Sequence, residues 1–235
     1  MLTIRRSEER GHADHGWLDT YHTFSFSTYQ DPRFMQFGPL RVLNQDRVAP
    51  GRGFGTHGHE EMEIVSYVLD GVMEHEDSMG NGSQMRPGDV QLMSAGTGVT
   101  HSEFNGSKED PLHFLQMWII PAKRGTEPRY EQKSYSEAER QGSLRLVVSP
   151  DGAEGSVSIG QDVRMFTSLV GSEDAMSHEF ASGRGGWLHV ARGRIRVNGQ
   201  ELAPGDGVAV RDESALAIEG VEDAEIVLWD VPVEN

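Results

Sequence analysis

Tyr67-Val68-Leu69-Asp70-Gly71-Val72-Met73, followed by Arg86-Pro87-Gly88-Asp89-Val90, recurs later as His189-Val190-Ala191-Arg192-Gly193-Arg194-Ile195, followed by Ala203-Pro204-Gly205-Asp206-Gly207. Each copy reads as a strand, a glycine turn, a second strand, and a Pro-Gly-Asp turn into a third. The proline presets φ and the glycine supplies a positive φ, which is what a tight turn requires. Two such units at matching places indicate a duplicated β-barrel. Outward from them, Leu40–Leu43, Met62–Leu69, Val90–Met93, Phe114–Ile119, Leu144–Val148, Val163–Val170, Trp187–Val190, Gly207–Val210 and Ala224–Leu228 alternate or run apolar as strands do. A single short helix is expected, opened by the capping-box pattern Ser134-Tyr135-Ser136-Glu137 and stopped at Gly142. The chain is therefore all-β. Its expected division is a first barrel over 1–121, a polar linker over 122–142 and a second barrel over 143–235.

The 235 residues carry 21 basic and 37 acidic side chains, a net charge of −16. That balance argues against direct binding of nucleic acid, where Lys and Arg must neutralise phosphates, and against an anionic membrane surface. The absence of cysteine excludes disulfides, thiolate metal sites, iron–sulfur clusters and thiol nucleophiles. The segment MLTIRRSEERGHADHG has no apolar core of a secretory signal. The apolar stretch Leu115–Pro121 falls far short of the ~20 residues of a membrane span. A soluble, cytoplasmic protein is expected.

The ten histidines carry the chemistry. In Gly53-Phe54-Gly55-Thr56-His57-Gly58-His59, residues two apart on a strand face the same way, so His57 and His59 can reach one ion. In Gly98-Val99-Thr100-His101-Ser102-Glu103, His101 and Glu103 share a face by the same period. Three imidazoles and a carboxylate suit iron, copper, nickel, cobalt or manganese and leave positions open for substrate or dioxygen.

His57-x-His59 with Glu63, then Gly98-x-x-His101-x-x-x-Asn105, resemble the two metal motifs of the cupin superfamily. Two departures stand out: seven residues separate Glu63 from Gly71, and Ala95-Gly96-Thr97-Gly98 replaces the expected Pro-x-Gly element. A narrower family accounts for both. His15-Gly16-Trp17-Leu18-Asp19, His22-Thr23-Phe24-Ser25-Phe26, His57-Gly58-His59-Glu60-Glu61-Met62-Glu63, Glu74-His75-Glu76-Asp77-Ser78 and the run Pro87 to Glu103 resemble the pirin family. The likeness covers most of residues 10–120 and is looser beyond. It implies a bicupin of two tandem double-stranded β-helix (jelly-roll) barrels, with one divalent metal in the N-terminal barrel held by His57, His59, His101 and Glu103. Fe(II) is the expected ion, with Cu, Ni, Co, Mn or Zn admissible. Strand parity leaves Glu63 as a competing carboxylate, since 57, 59 and 63 share a face. Glu103 is preferred because its segment is the closer match, and Glu63 would then orient an imidazole.

The other histidines read more plainly. His113 opens an apolar strand as a packed or hydrogen-bonded core residue. His75, among Glu74, Glu76 and Asp77, reads as part of a solvated turn, and His12, His15 and His22 as structural. His178 and His189 lie in a second repeat that lacks both metal motifs. Phe34, Phe37, Phe54, Met93, Phe104 and Trp118 are candidates to line an apolar pocket above the metal.

The resemblance implies a flavonol (quercetin) 2,3-dioxygenase. A flavonol-like molecule and dioxygen would be its small-molecule partners, Glu103 its catalytic general base, and carbon monoxide a product. The alternative is a redox-sensing regulator using the same metal and acting through basic protein partners. An isomerase or sugar-modifying cupin ranks third. A monomer is expected, since two barrels in one chain already supply the burial that single cupins gain by pairing.

Overall fold

Side chains alternate between buried and exposed along strand after strand in the computed structural model, which describes residues 1–233. After β1 (Leu2–Arg5), the strands β2 (Gly11–Asp14), β3 (Leu18–His22) and β4 (Leu40–Val48) form an antiparallel meander. Then come β5 (Gly53–His59), β6 (Glu63–Asp70), β7 (Met73–Asp77), β8 (Gly82–Met85), β9 (Asp89–Ser94), β10 (Val99–Asn105), β11 (Leu112–Ile119) and β12 (Arg129–Ser134). One turn of helix, α1 (Glu137–Arg140), precedes β13 (Arg145–Ser149), β14 (Val157–Ser158) and β15 (Arg164–Val170). The chain continues through β16 (Ala175–Glu179), β17 (Arg184–Arg192), β18 (Ile195–Val197) and β19 (Gln200–Leu202), then β20 (Gly207–Val210), β21 (Ala215–Gly220) and β22 (Ala224–Pro232).

Contacts divide the chain into two units. The first contains Gly11–Ser134 and Val157–Gln161. One of its sheets has the order β12-β9-β6-β11-β4-β3-β2 and the other β5-β10-β7-β8. The second unit contains Met1–Arg10, Tyr135–Ser156 and the chain from Asp162 on. Its sheets run β1-β20-β17-β22-β15-β13 and β16-β21-β18-β19. The all-β, two-barrel expectation is thus met, but the boundaries differ from 1–121, 122–142 and 143–235. β1 pairs with β20, which takes the first ten residues into the second unit. Residues 129–134 of the expected linker are strand, because β12 closes the edge of the first sheet against β9. The helix also begins later than expected. Ser134 is paired to Asp89 in β12, so the capping box forms between Ser136 and Glu139.

The repeated turns are the same device twice. Gly88 N donates to Val68 O at 3.2 Å, and Gly205 N donates to Val190 O at 2.7 Å. The aspartates close both turns, Asp89 accepting from Arg86 N at 2.8 Å and Asp206 from Ala203 N at 3.0 Å. Gly71 (φ +84) and Gly193 (φ +71) reverse the chain between the preceding strands.

In the first barrel, inward residues are apolar at both ends and polar between. Along β6 they run Ile64, Ser66, Val68, and along β11 Trp118, Gln116, Phe114. Val68 and Phe114 belong to one apolar cluster with Met73, Met85 and Leu112, while Ile64 packs in another with Met93, Val99 and Trp118. Ser66 lies opposite Gln116 on one side and Gln91 on the other. This polar belt borders the chemistry described next.

A side chain at Gly193 meets the turn from inside: a Cβ would lie 2.0 Å from Asp223 O and 2.5 Å from Ala224 Cα. Gly199 has a similar φ of +81 with nothing within 4 Å. Gly199→Ala is expected to cost about 1–2 kcal/mol from the left-handed backbone alone, and Gly193→Ala distinctly more. Chemical denaturation of both variants checks this; equal losses would rule out the close approach as the constraint.

Candidate metal centre

The site is assembled by one strand pairing. β10 runs antiparallel to β5 with His101 opposite His57 and Val99 opposite His59. Since inward positions alternate, this register turns His57, His59 and His101 to the same side. Their ring centroids are 4.8, 4.4 and 4.9 Å apart for the pairs 57–59, 57–101 and 59–101. One ligand-capable nitrogen of each lies within 4.8 Å of the others.

The tautomers suit a cation. His57 Nδ1 is 2.9 Å from Gly55 O, so it carries the proton and leaves Nε2 with the lone pair. That Nε2 is 3.0 Å from Nε2 of His101. Burial, then the neighbouring His57, lowers His59 to about 4. Burial, with His57 and His59 after it, lowers His101 to about 3. Both rings therefore stay neutral at pH 7 and keep the lone pairs a metal needs. Convergent ring nitrogens, two of them half-buried and one buried, fit a borderline transition-metal ion.

Glu103 is placed differently. It is 2% exposed and joins a second triad with His75 and His101, all three buried. Gln116 Nε2 donates to its Oε2 at 2.7 Å, and Ser66 Oγ to its Oε1 at 3.1 Å. Burial outweighs these two hydrogen bonds and pushes its carboxyl up to about 7. The indole of Trp118 donates to Gln116 Oε1 at 3.3 Å, and its ring meets that of His59 edge-on at 5.0 Å.

Glu63 stands elsewhere. β5 ends at His59, Glu61 takes φ +53, and Glu63 begins β6 in the opposite sheet, facing Ser94 and Ile119. Its Oε2 accepts from Ser94 Oγ at 2.6 Å. Strand parity does not carry across that turn, so Glu63 shares no face with His57 and His59 and joins neither donor group among the described residues.

His75 was concealed in the sequence by its acidic neighbours. On β7 the inward set is Met73, His75 and Asp77 while Glu74 and Glu76 point out, a period of two restarted by the turn at Gly71. His113 is the packed core histidine expected, 3.0 Å from Gln45 Nε2. His12 is bound to Asp19 at 2.7 Å and His22 to Asn44 at 2.9 Å. Of the expected aromatic and sulfur lining, Met93 and Trp118 pack beside Val99. Phe54 instead packs against Trp17, and Phe104 is exposed on the outer face of β10. An open cleft of about 550 Å³ reaches His59 between Gly58, Glu60 and the segment Gly98–Thr100.

In the second barrel the same register gives His178 the place of His57, because His178 lies opposite Leu216. Counted from the turn glycines, Leu216 and Ile218 take the places of His101 and Glu103, and Phe180 that of His59. Leu216, Ile218 and Phe180 are core residues, and His178 is bound to Asp230 at 2.7 Å. These positions offer no ligand set.

The family profile described as Pirin matches residues 3–119, and that described as Quercetinase C-terminal cupin domain matches residues 146–231. The chain is 45% identical over 232 residues to a protein of Escherichia coli (strain K12) named quercetin 2,3-dioxygenase, covering 99% of each. It is 38% identical to a pirin-like protein of Caulobacter vibrioides, covering 98% of this chain and 99% of the relative. The crystal structure of the bacterial pirin YhhW from Escherichia coli in complex with nickel(II) superposes with a TM-score of 0.94 at 44% identity, covering 100% of both chains. No helix among the described residues is long and apolar enough to cross a membrane.

The first barrel also buries Asp46, which accepts from Thr20 Oγ1 and whose carboxyl is pushed up to about 7, chiefly by burial and further by Glu103. A carboxyl raised from 3.8 to about 7 favours the folded state below its unfolded value, and that contribution disappears as pH rises through 7. Asp46→Asn keeps an acceptor for Thr20 without the charge. Its melting temperature relative to the unchanged protein should therefore climb from pH 4 to pH 8. A constant difference across that range would show that Asp46 does not titrate near 7.

Proposed function

The chain belongs to the pirin family, and from that premise we propose that it is a metal-dependent flavonol 2,3-dioxygenase, opening quercetin-like substrates with dioxygen and releasing carbon monoxide. One observation carries this reading: three imidazoles converge, and one of them, His59, also lines an open cleft. An enzyme needs such an approach, whereas a sensor can seal its ion. We assign His57, His59 and His101 as ligands, with Glu103 as the carboxylate of the site and Fe(II) as the ion. The nickel(II) bound by a 44%-identical relative supports a donor set that accepts late first-row ions.

When bound, the ion supplies Lewis acidity toward the substrate hydroxyl and a path for electrons to dioxygen. Glu103 takes the hydroxyl proton. Burial raises its carboxyl from the ordinary carboxylate range toward neutrality, the range in which a general base is most effective. Ser66 and Gln116 hold its two oxygens, so the carboxylate is oriented before substrate arrives. Val99 on the wall of the cleft, and Trp118 packed beside it and edge-on to His59, give the approach an apolar side. Breaking two carbon–carbon bonds of the heterocycle takes up both oxygen atoms and expels one carbon as carbon monoxide.

The charge of −16 favours a second reading, an iron-dependent redox-sensing regulator that docks basic proteins. The protein reconstituted with Fe(II) and given quercetin separates the two. Oxygen-dependent loss of flavonol absorbance with carbon monoxide release is expected; bound metal without turnover would favour the regulator. Glu103→Gln should lower kcat by about 10²–10⁴-fold while flavonol binding persists, and Glu63→Gln should leave the metal in place. A metal site emptied by Glu63→Gln and full in Glu103→Gln would reverse the assignment.

A further inference from the structure

Two ring nitrogens beside the proposed centre are buried without a hydrogen-bond partner, Nδ1 of His75 and Nδ1 of His101. Each residue is 1% exposed. The rings are 5.4 Å apart and tilted by 54°, and a ring nitrogen of each lies within 4.8 Å of the other. Buried polar atoms are nearly always paired, so two such atoms in one place need an explanation.

The second nitrogen of each ring is already committed. His75 Nε2 lies 3.2 Å from Asp77 Oδ2. Asp77 also accepts from Met79 N at 2.9 Å, Asn81 N at 3.0 Å and Asn81 Nδ2 at 2.9 Å. An acceptor so engaged is a carboxylate, which makes His75 Nε2 the donor and leaves the His75 lone pair on Nδ1. His101 turns Nε2 toward His57. As a ligand through Nε2, His101 keeps its lone pair there and carries its proton on Nδ1. Ligation of His101 therefore leaves a buried acceptor and a buried donor on neighbouring rings. The far face of His75 is stacked on Tyr130 at 5.0 Å and 25°, which fixes the plane of its ring.

Resting on the assignment of His101 as a metal ligand, we propose that His75 is its positioning residue. His75 Nδ1 accepts the Nδ1–H of His101, and Asp77 holds His75 in the tautomer that does so. The row Asp77–His75–His101 then fixes both the ring orientation of His101 and the nitrogen it offers. A ligating histidine is commonly held in this way through its second nitrogen, and loss of the partner typically lowers metal affinity 10- to 100-fold. Here the carboxylate acts one imidazole further out.

The test uses the full chain and Ni(II) as probe, titrated against a competing chelator, with ¹⁵N spectra of the histidine rings reading the tautomers in metal-free protein. His75→Phe keeps the stack on Tyr130 and removes the acceptor; His75→Asn retains an acceptor and a donor. Expected are a 10- to 100-fold loss of Ni(II) affinity and a mixed His101 tautomer in His75→Phe. His75→Asn should recover most of both, and Asp77→Asn should give a smaller loss. Unchanged Ni(II) affinity and an unchanged His101 tautomer in His75→Phe would overturn the role of His75 and leave the metal assignment standing. If His75→Phe fails to melt cooperatively, the same two readouts in Asp77→Asn decide. Failure of the unchanged protein to bind Ni(II) would instead overturn the metal assignment, and the role of His75 with it.

Discussion

The register of β10 against β5 is the constraint on which the site depends. With His101 opposite His57, three imidazoles converge; a slip of one residue would turn every inward side chain of one strand to the other face. Little in the two strands themselves enforces that register, since β5 is glycine-rich and largely exposed. It is enforced on the other flank, where β7 holds β10 through Glu103 opposite His75 and Asn105 opposite Met73. Asn105 is pinned in turn, its Nδ2 donating to Val48 O at 3.0 Å and Asp110 O at 2.9 Å. The edge of the barrel that carries the three imidazoles is thus positioned by the strand behind it.

The two barrels show what that frame supports with different side chains in it. The turns at Gly71 and Gly193 and the closures at Asp89 and Asp206 repeat almost atom for atom. The first barrel places His101 and Glu103 on its inner row and binds Glu103 through Ser66 and Gln116. The second places Leu216 and Ile218 there, within an apolar cluster. Carrying the polar row has an electrostatic cost: burial pushes Asp46 and Glu103 up to about 7. It also holds His59 and His101 neutral, the state in which they can act as ligands.

Much of this was legible in the sequence, and the limits have physical causes. Core strands such as Met62–Leu69 and Phe114–Ile119 were readable because both faces are covered and the residues are apolar. The duplication was readable from turn chemistry, which depends on proline and glycine and survives divergence of the side chains. β1 and β12 were missed because their partners lie far along the chain, and pairing at a sheet edge leaves little local pattern. The parity argument linking Glu63 to His57 failed at Glu61, whose positive φ ends one strand and starts another. His75 was misread for the converse reason: its neighbours Glu74 and Glu76 are the solvent face of the same strand.

The central claim is that one divalent ion sits among His57, His59 and His101 and nowhere in the second barrel. An anomalous-difference map from crystals of the metal-loaded protein, collected at the metal absorption edge, tests it directly. The account predicts one peak per chain, within about 2.0–2.2 Å of one nitrogen from each of the three rings. A peak beside Glu63, a peak near His178, or none in a crystal shown to contain metal would contradict it.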